Sequence, residues 1–475
     1  MISLQSSLTM ARKALQAQQV AIQTTGHNIA NANTPGFTRQ RVNLTPAVPF
    51  ALVAVGSLGT GVNVADITRI RDLLLDSQFR DAHQALSRQG AEEATLAQIE
   101  TVVGEPSENG LAAGMSALFA SFQDLANYPT DLAVRSVVRE KARAIADQFH
   151  RLDDGFERLK IDLQNEIQVV VKQVNGLTQQ VADLNRQVAM AEAGVGSAND
   201  LRDLRDQALD ELSKLVGGSL MEDTGGQVRV TVGGGLTLVD GTTAVSLSAQ
   251  DFNQADPIYP DSVRLFLGDH LLTPGGGRLA GLLNSRNSTD GFVKGFQSQM
   301  DALAKAVVDK VNAVHAAGYG LDGSTTGRNL FTPLAVTAGA ARFISVDAGI
   351  EADVMTIAAS ATGDPGDNNT AVALAGLQDD STVMTLPSGQ SVAFGSYLSN
   401  LVSDLAEQEA GAKRSVSLHT TMADFLTGRR DQASGVSLDE EMTDLIRFQK
   451  TYEAAAHFAN VVNGLLETLM SQLGR

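Results

Sequence analysis

The residues best suited to hold a metal or move a proton near neutral pH are the seven histidines. His27, His83, His150, His270, His315, His419 and His457 are scattered singly, and no two stand at the spacing that sets paired ligands on one helix face. His27 therefore reads as a surface or packing residue. Gly363-Asp364-Pro365-Gly366-Asp367-Asn368-Asn369 has the composition of a calcium loop but lacks the acid required at its twelfth position. Gly56, Gly59 and Gly61 follow no strand–helix pattern, so they punctuate turns and do not cradle phosphate. No nucleophile elbow, phosphate-binding lysine loop or zinc-protease motif occurs. With no cysteine in the chain, disulfides and thiolate metal sites are excluded. The expectation is a protein that is not an enzyme and uses no cofactor and no metal.

Composition narrows the partners. The chain of 475 residues carries 36 basic and 54 acidic side chains, a net charge of −18. So acidic a chain is a poor nonspecific binder of nucleic acid, which relies on Lys and Arg. Apolar residues make up 43%, enough for real cores, and a prior of roughly 150 residues per domain suggests about three units. No run of 18 apolar residues occurs, so no membrane span is expected, and the start lacks the pattern of a cleaved secretory signal. An acid-poor amphipathic start also suits a transit peptide or membrane-surface helix, but Arg12 and Lys13 are too few charges for either.

Two segments must then do the work by packing. Leu4, Leu8, Ala11, Leu15, Gln18, Ile22, Thr25 and Ile29 alternate steps of four and three, a heptad seam with polar members. Ser3 is a candidate cap, and the apolar face has no evident local partner. Asn31 and Asn33 tolerate left-handed backbone, Thr34 precedes proline, and Pro35-Gly36 suit the centre of a type II turn. At the other end, Ser437 and Glu440 are spaced as a capping box, and Asp439, Glu440 and Glu441 suit the positive end of a helix dipole. Met442, Leu445, Gln449, Tyr452, Ala456, Ala459, Asn463, Leu466 and Met470 form one stripe of that helix. Phe448, Ala455, Val462, Leu465 and Leu469 form another. A helix apolar on two flanks wants more than one neighbour. The first helix supplies one, and another copy of the chain would supply the rest. Arg12, Lys13, Arg39 and Arg41, with no acid before residue 66, oppose an acidic excess after residue 437, although exposed pairs add little.

The stretch Asn28-Ile29-Ala30-Asn31-Ala32-Asn33-Thr34-Pro35-Gly36-Phe37 resembles the N-terminal signature of the bacterial flagellar rod, hook and hook-associated proteins. Residues 435–442, with Leu445-Ile446 and Phe448 to Ala456, resemble that family's C-terminal signature. Pro365-Gly366-Asp367-Asn368-Asn369 and the long helical pattern before it match more weakly. Thr38-Arg39-Gln40 favours the hook-associated members over the hook protein, which usually continues with Lys. The resemblance implies a secreted, extracellular structural protein of the flagellum, exported through the flagellar type III apparatus with no cleaved signal. It would polymerise at the distal end of the hook as a helical homo-oligomer ring, forming the hook–filament junction. Hook protein and hook-associated protein 3 would be its axial neighbours, and a cytosolic export chaperone would hold the C-terminal helix. The assembly interface would comprise Leu4, Leu8, Leu15, Ile22, Asn28, Ile29, Asn31, Asn33, Pro35, Gly36 and Phe37, with Met442, Leu445, Phe448, Gln449, Tyr452, Ala456, Ala459, Val462, Leu466 and Leu469. The chaperone would contact Phe448, Tyr452, Phe458, Leu465 and Leu469. The alternatives are another axial protein such as the hook protein, or an assembly frame carrying a glycan-binding or hydrolytic insert.

Between the ends, residues 38–70 read as extended and 72–100 as helix. Phe149, Leu152, Phe156, Leu159, Leu163, Ile167, Val170, Val174, Leu177, Val181, Leu184 and Val188 make a helix about 60 Å long. A stutter falls at Leu159–Leu163–Ile167. Residues 201–215 return as a helix ending at Gly217-Gly218. Val228, Val230 and Val232 switch to period two, with hairpin turns at Asp240-Gly241 and Gly268-Asp269. Residues 291–318 form a helix, Phe343 to Val346 a strand, Asn369 to Leu377 a short helix, and 396–428 a helix ending at Gly428. The predicted fold is mainly α with a smaller β part: terminal helices pairing as a coiled coil, and an elongated multi-domain rod with long helical struts. Its units are 1–65, an axial helix and extended arm; 66–218, a strut domain; 219–290, a β-hairpin-rich excursion; 291–435, a mixed outer domain; and 436–475, an axial helix pairing with 1–35.

Overall fold

The computed structural model describes residues 2–52, 56–194, 196–223, 225–252, 261–287, 291–323 and 326–473. Its first helix, α1 (Ile2–Ala30), leads into an arm of strands β1 (Gln40–Pro46), β2 (Phe50–Leu52), β3 (Gly56–Leu58) and β4 (Val62–Arg69). β1 pairs antiparallel with β4, and β2 with β3. Four helices follow: α2 (Leu73–Val103), α3 (Leu111–Asn127), α4 (Leu132–Ala191) and α5 (Asn199–Val216). Asp72 caps α2, its carboxylate accepting from the Leu74 and Leu75 amides.

The strut α4 is longer than the periodic stretch predicts, 60 residues or roughly 90 Å. Its buried stripe begins at Val138, Ala142 and Ile145 and runs on through Phe149, Phe156, Ile167, Val174 and Val181 to Val188. Asp131 caps it by accepting from the Ala133 amide at 2.7 Å. Gly155 matters here because a Cβ would run into the Val102 side chain, so its absence lets α2 approach α4. Helix α3 lies in a stretch for which the sequence pattern predicts no element. It buries Leu118, Phe119, Phe122 and Leu125 against α4, and Phe119 stacks on Phe394 at 5.9 Å between centroids.

Two antiparallel sheets follow. One runs in order through β5 (Ser219–Glu222), β6 (Val228–Val232), β7 (Leu236–Asp240) and β8 (Thr243–Ala244). The other holds β9 (Leu247–Phe252), β10 (Ser262–Leu267) and β11 (His270–Leu272), with β10 central. Gly268-Asp269 forms a two-residue hairpin loop as expected, whereas the other loop is Gly241-Thr242, one residue later than expected. Two asparagines of α4 fasten the sheets to the strut. Asn185 donates to the carbonyls of Val228 and Gly241 and accepts from the Val228 amide. Asn175 exchanges two 2.8 Å bonds with the Leu247 backbone.

The stretch read as a β-rich excursion over 219–290 is β only through Leu272, because α6 (Gly277–Asn287) is a helix packed on α2. After α7 (Phe292–Ala317), the strand expected over Phe343 to Val346 is also replaced. Asp301 accepts from the Gly339 and Ala341 amides and so starts the short helix α8 (Ala340–Phe343), leaving Val346 a single bridge to Phe331. The small elements α9 (Ala348–Ala352), α10 (Asn369–Gly376), β12 (Met384–Thr385) and β13 (Ser391–Val392) lead to α11 (Phe394–Ser434) and α12 (Leu438–Leu473). α11 does not stop at Gly428. A mid-helix glycine costs only about 1 kcal/mol relative to alanine. Burial of Ala423 and Leu426 on α2, with Arg430 over the Phe79 ring, outweighs that. The terminal helices α1 and α12 pack together, and the fold is mainly α with small sheets.

Candidate assembly interface

The first helix has a local partner that the sequence did not reveal. It lies between α12 and the β1–β4 arm, which folds back onto it. Its fully buried residues are small or polar: Ala11, Ala17, Gln18, Ala21, Thr24, Thr25 and Asn28. The expected seam residues Leu4, Leu8, Leu15, Ile22 and Ile29 are only half-buried. The buried stripe is therefore shifted off the leucines toward alanine and threonine. On α12, Glu441 and Val462 are buried, while Leu445, Phe448, Ala456, Ala459 and Leu466 are half-buried. Met442, Gln449, Tyr452 and Leu469 are exposed, as are Phe458 and Leu465. The side chain of Ser3 lies outside the described residues.

The turn after α1 is built as its residues predict. The Phe37 amide donates to the Thr34 carbonyl at 3.2 Å, and Gly36 takes φ +75°, as the third position of a type II turn requires. A side chain there would also collide with Gln207, whose amide donates to the Pro35 carbonyl. Asn31 and Asn33 do not adopt left-handed backbone. Asn31 instead closes the helix through its side chain, donating to the His27 carbonyl at 3.0 Å and accepting from Thr34 at 3.2 Å. Asn33 is exposed. His27 packs edge-on to Phe37 and lies 3.2 Å from Asp200, a bridging residue between turn and body.

A polar clasp ties this turn to both the C-terminal helix and the body. Asn28, 1% exposed, donates to the Gln40 carbonyl at 2.8 Å and accepts from the Gln40 amide at 3.0 Å. Its amide also donates to Glu441, 2% exposed, at 3.0 Å. Arg39 donates to Glu441 and Glu440 at 2.6 Å each, and its backbone amide donates to Ser434 at 2.9 Å. Burial opposes the Arg39 charge, but those two carboxylates hold its pKa above the ordinary value. Arg39, Gln40 and Glu441 were not singled out as interface residues from the sequence. The signal was present: an acid in the first turn of the last helix and the only early cations beside the signature.

Helix α5 supplies the body side of the clasp. Asp200, Asp203, Asp206 and Asp210 recur at steps of three and four, so they share one face. Asp200 accepts from Gln40 at 2.8 Å, and Asp203 from the Thr38 amide at 2.9 Å and from Arg69 at 2.7 Å. Asp206 pairs with Arg69 and Arg71, and Asp210 with Arg80 and Arg430. Burial pushes Asp206 up, but Arg71 and Arg69 outweigh it and hold its pKa low. Burial prevails at Asp203, whose pKa is raised despite Arg69. A cleft of about 570 Å³ beside this face is lined by Arg69, Arg71, Arg80 and Arg202. Asp76, Asp81, Asp206 and Glu222 line it too, so it carries no net charge to attract an ion.

The candidate chemistry resolves into structure. Asp367 of the 363–369 loop accepts from Ser360 and from the Ala361, Thr362 and Asn369 amides, so its carboxylate closes the loop internally. His315 is buried. Its Nδ1 faces the Arg328 carbonyl at 2.7 Å, and its Nε2 accepts from the Ala358 amide at 2.9 Å. That pairing fixes the neutral ring in one tautomer. Among the described residues no cluster of metal-ligating side chains occurs, and no helix is long and apolar enough to cross a membrane.

Comparison with known proteins places both ends and the middle of the chain together. The family described as flagellar hook-associated protein FlgK helical domain matches residues 96–331. Flagella basal body rod protein matches 8–38, and flagellar basal body rod FlgEFG protein C-terminal matches 430–473. The chain is 31% identical to flagellar hook-associated protein 1 of Bacillus subtilis (strain 168), over 98% of each chain. It is 27% identical to flagellar hook-associated protein 1 of Salmonella typhimurium, over 98% of this chain and 99% of the relative. The solved structure of the flagellar hook junction protein FlgK from Burkholderia pseudomallei shares the fold. It superposes with a TM-score of 0.63 at 18% identity, covering 76% of this chain and 100% of that one.

Proposed function

The chain belongs to the flagellar hook-associated protein 1 family, and from that premise we propose that it polymerises at the distal end of the hook to form the hook–filament junction. It is a structural component of the bacterial flagellum, and its family is one of structural proteins. The observation that carries the finer reading is the outer face of α12. Met442, Ile446, Phe458, Val461, Leu465 and Leu469 are all exposed in a chain whose body buries its own core. Apolar surface this extensive along one helix marks an interaction site. Copies of the same helix pair, set around a common axis, cover it with one repeated contact. The half-buried Leu4, Leu8, Leu15 and Ile22 of α1 supply the facing side. Pro35 and Gly36 are held by Gln207 of the body and Phe37 by His27 of α1, and the three act in the interface by orienting the pair.

The axial parts are 1–65 and 436–475 and the outer parts 66–218, 219–290 and 291–435, of which 219–290 is β only through Leu272. Hook protein and hook-associated protein 3 are the axial neighbours in this reading, and export runs through the flagellar type III apparatus. Before assembly the same helix, through Phe448, Tyr452, Phe458, Leu465 and Leu469, takes a cytosolic export chaperone. Its exposed aromatic and aliphatic side chains are the surface that a helix-in-groove partner recognises.

The test is a Val461→Asp/Leu465→Asp variant expressed as the only copy. Both positions are exposed, so the purified monomer should melt as the parent does. Cells should make hooks without filaments and lose filament protein to the medium. Normal filaments in these cells overturn the assembly reading. Equal co-purification of a small helical cytosolic partner with full-length chain and with a 1–435 truncation overturns the chaperone reading.

A further inference from the structure

We propose that Asn28, Arg39 and Glu441 form a register lock, a polar site that selects one axial alignment of the two terminal helices. The need for such a device follows from the seam. On α1 the enclosed side chains are mostly alanine and threonine, and among the described residues of α12 Val462 is the one buried aliphatic side chain. Small knobs leave shallow holes, so sliding one helix past the other by a turn exchanges one small residue for another. Apolar packing alone then discriminates registers weakly, and a buried polar residue is the device that does so in helix pairs.

The lock has the geometry for this task. Asn28 sits near the end of α1, and Glu441 sits in the first turn of α12, which makes the pair antiparallel. The Asn28 amide group is oriented by two bonds to the Gln40 backbone, so its nitrogen points one way only. That nitrogen meets one Glu441 oxygen at 3.0 Å, and Arg39 meets the other at 2.6 Å. Arg39 also reaches Glu440 and holds the Ser434 carbonyl, so the same residue ties the start of α12 to the end of α11. In a slipped register Glu441 would keep its burial and lose both partners, which is the unfavourable state of a buried charge. The site therefore aligns the pair and couples that alignment to the arm and body. These are positioning residues for assembly, and the property resides in the single chain whether or not it polymerises.

The chain has no cysteine, so two introduced cysteines report cleanly. Spin labels at the exposed positions Gln23→Cys and Lys450→Cys, read by double electron–electron resonance on the full chain, give the axial alignment directly. The parent should show one narrow distance. Asn28→Asp sets a carboxylate against Glu441 and should add a population displaced by about 5 Å, one helical turn. Asn28→Asp combined with Glu441→Gln exchanges donor and acceptor. It restores the helix-to-helix bond and the acceptor for Arg39, though not the donor to the Gln40 carbonyl, and should shrink the displaced population relative to Asn28→Asp. This rescue separates a lock from a helix pair that merely fails to fold. A broad parental distribution, an unchanged single distance in Asn28→Asp, or a double variant as broad as the single one overturns the proposal.

Discussion

The guanidinium carbon of Arg430 lies 3.5 Å from the centroid of the Phe79 ring while its Nη1 donates to Asp210 at 2.6 Å. One side chain thereby joins α11, α2 and α5 just below the clasp. Arg430→Ala should destabilise the chain by about 2 kcal/mol through loss of stacking and of a partly buried ion pair. Thermal melting measures it. A change below about 0.5 kcal/mol would mean that the three helices are held without this residue.

His315 sets an acid limit. Burial, reinforced by Arg135, pushes its pKa down to about 4 from an ordinary 6.5, against the opposing Asp347 charge and the Arg328 carbonyl. The unfolded chain then binds the proton first. The stabilising contribution is complete above pH 6.5 and declines as pH falls toward 4, by roughly 3 kcal/mol in all. Chemical denaturation across that window should show the slope, and a His315→Gln variant should flatten it. An unchanged slope would assign the acid sensitivity elsewhere.

The strut should carry the stability of the body. Phe156→Ala, at a fully buried position on α4, should cost about 3–5 kcal/mol. Ile161→Ala, on the exposed side of the same helix, should stay within about 0.5 kcal/mol. Comparable losses would contradict the placement of the apolar stripe.

Amide exchange on dilute chain should grade along α1. A seam of alanine and threonine stabilises the terminal pair weakly, so residues 5–30 should exchange faster than 149–188. Within α1, protection should be highest from Thr24 to Asn28, beside Glu441, and fall toward Leu4. Protection of residues 5–30 equal to that of the strut would contradict the weak seam.

Much of this was legible because periodicity reports burial. The strut stripe from Phe149 to Val188, the return helix and the Pro35-Gly36 turn follow directly from apolar spacing and turn chemistry. What stayed hidden depends on contacts distant in sequence. Nothing local shows that Asp301 will cap the turn at Gly339, or that Gly428 will be carried through by Arg430 on Phe79. The leucine seam of α1 is only partly enclosed within the chain for a related reason. Heptad spacing marks the apolar stripe, but the arm and α12 enclose the neighbouring alanines and leave the leucines half-covered. The clasp was the least legible part. Its acids on α5 look like an ordinary solvated face until the arm brings Thr38, Gln40 and Arg69 onto them.

On the proposed function, the outer face of α12 becomes buried against other copies of this chain. Electron cryomicroscopy of isolated hook–filament junctions tests it most directly. The map should show α1 and α12 lining the axis as one antiparallel pair per subunit, with Ile446, Phe458, Val461 and Leu465 enclosed by neighbouring copies. A junction in which that face of α12 remains exposed to solvent would contradict it.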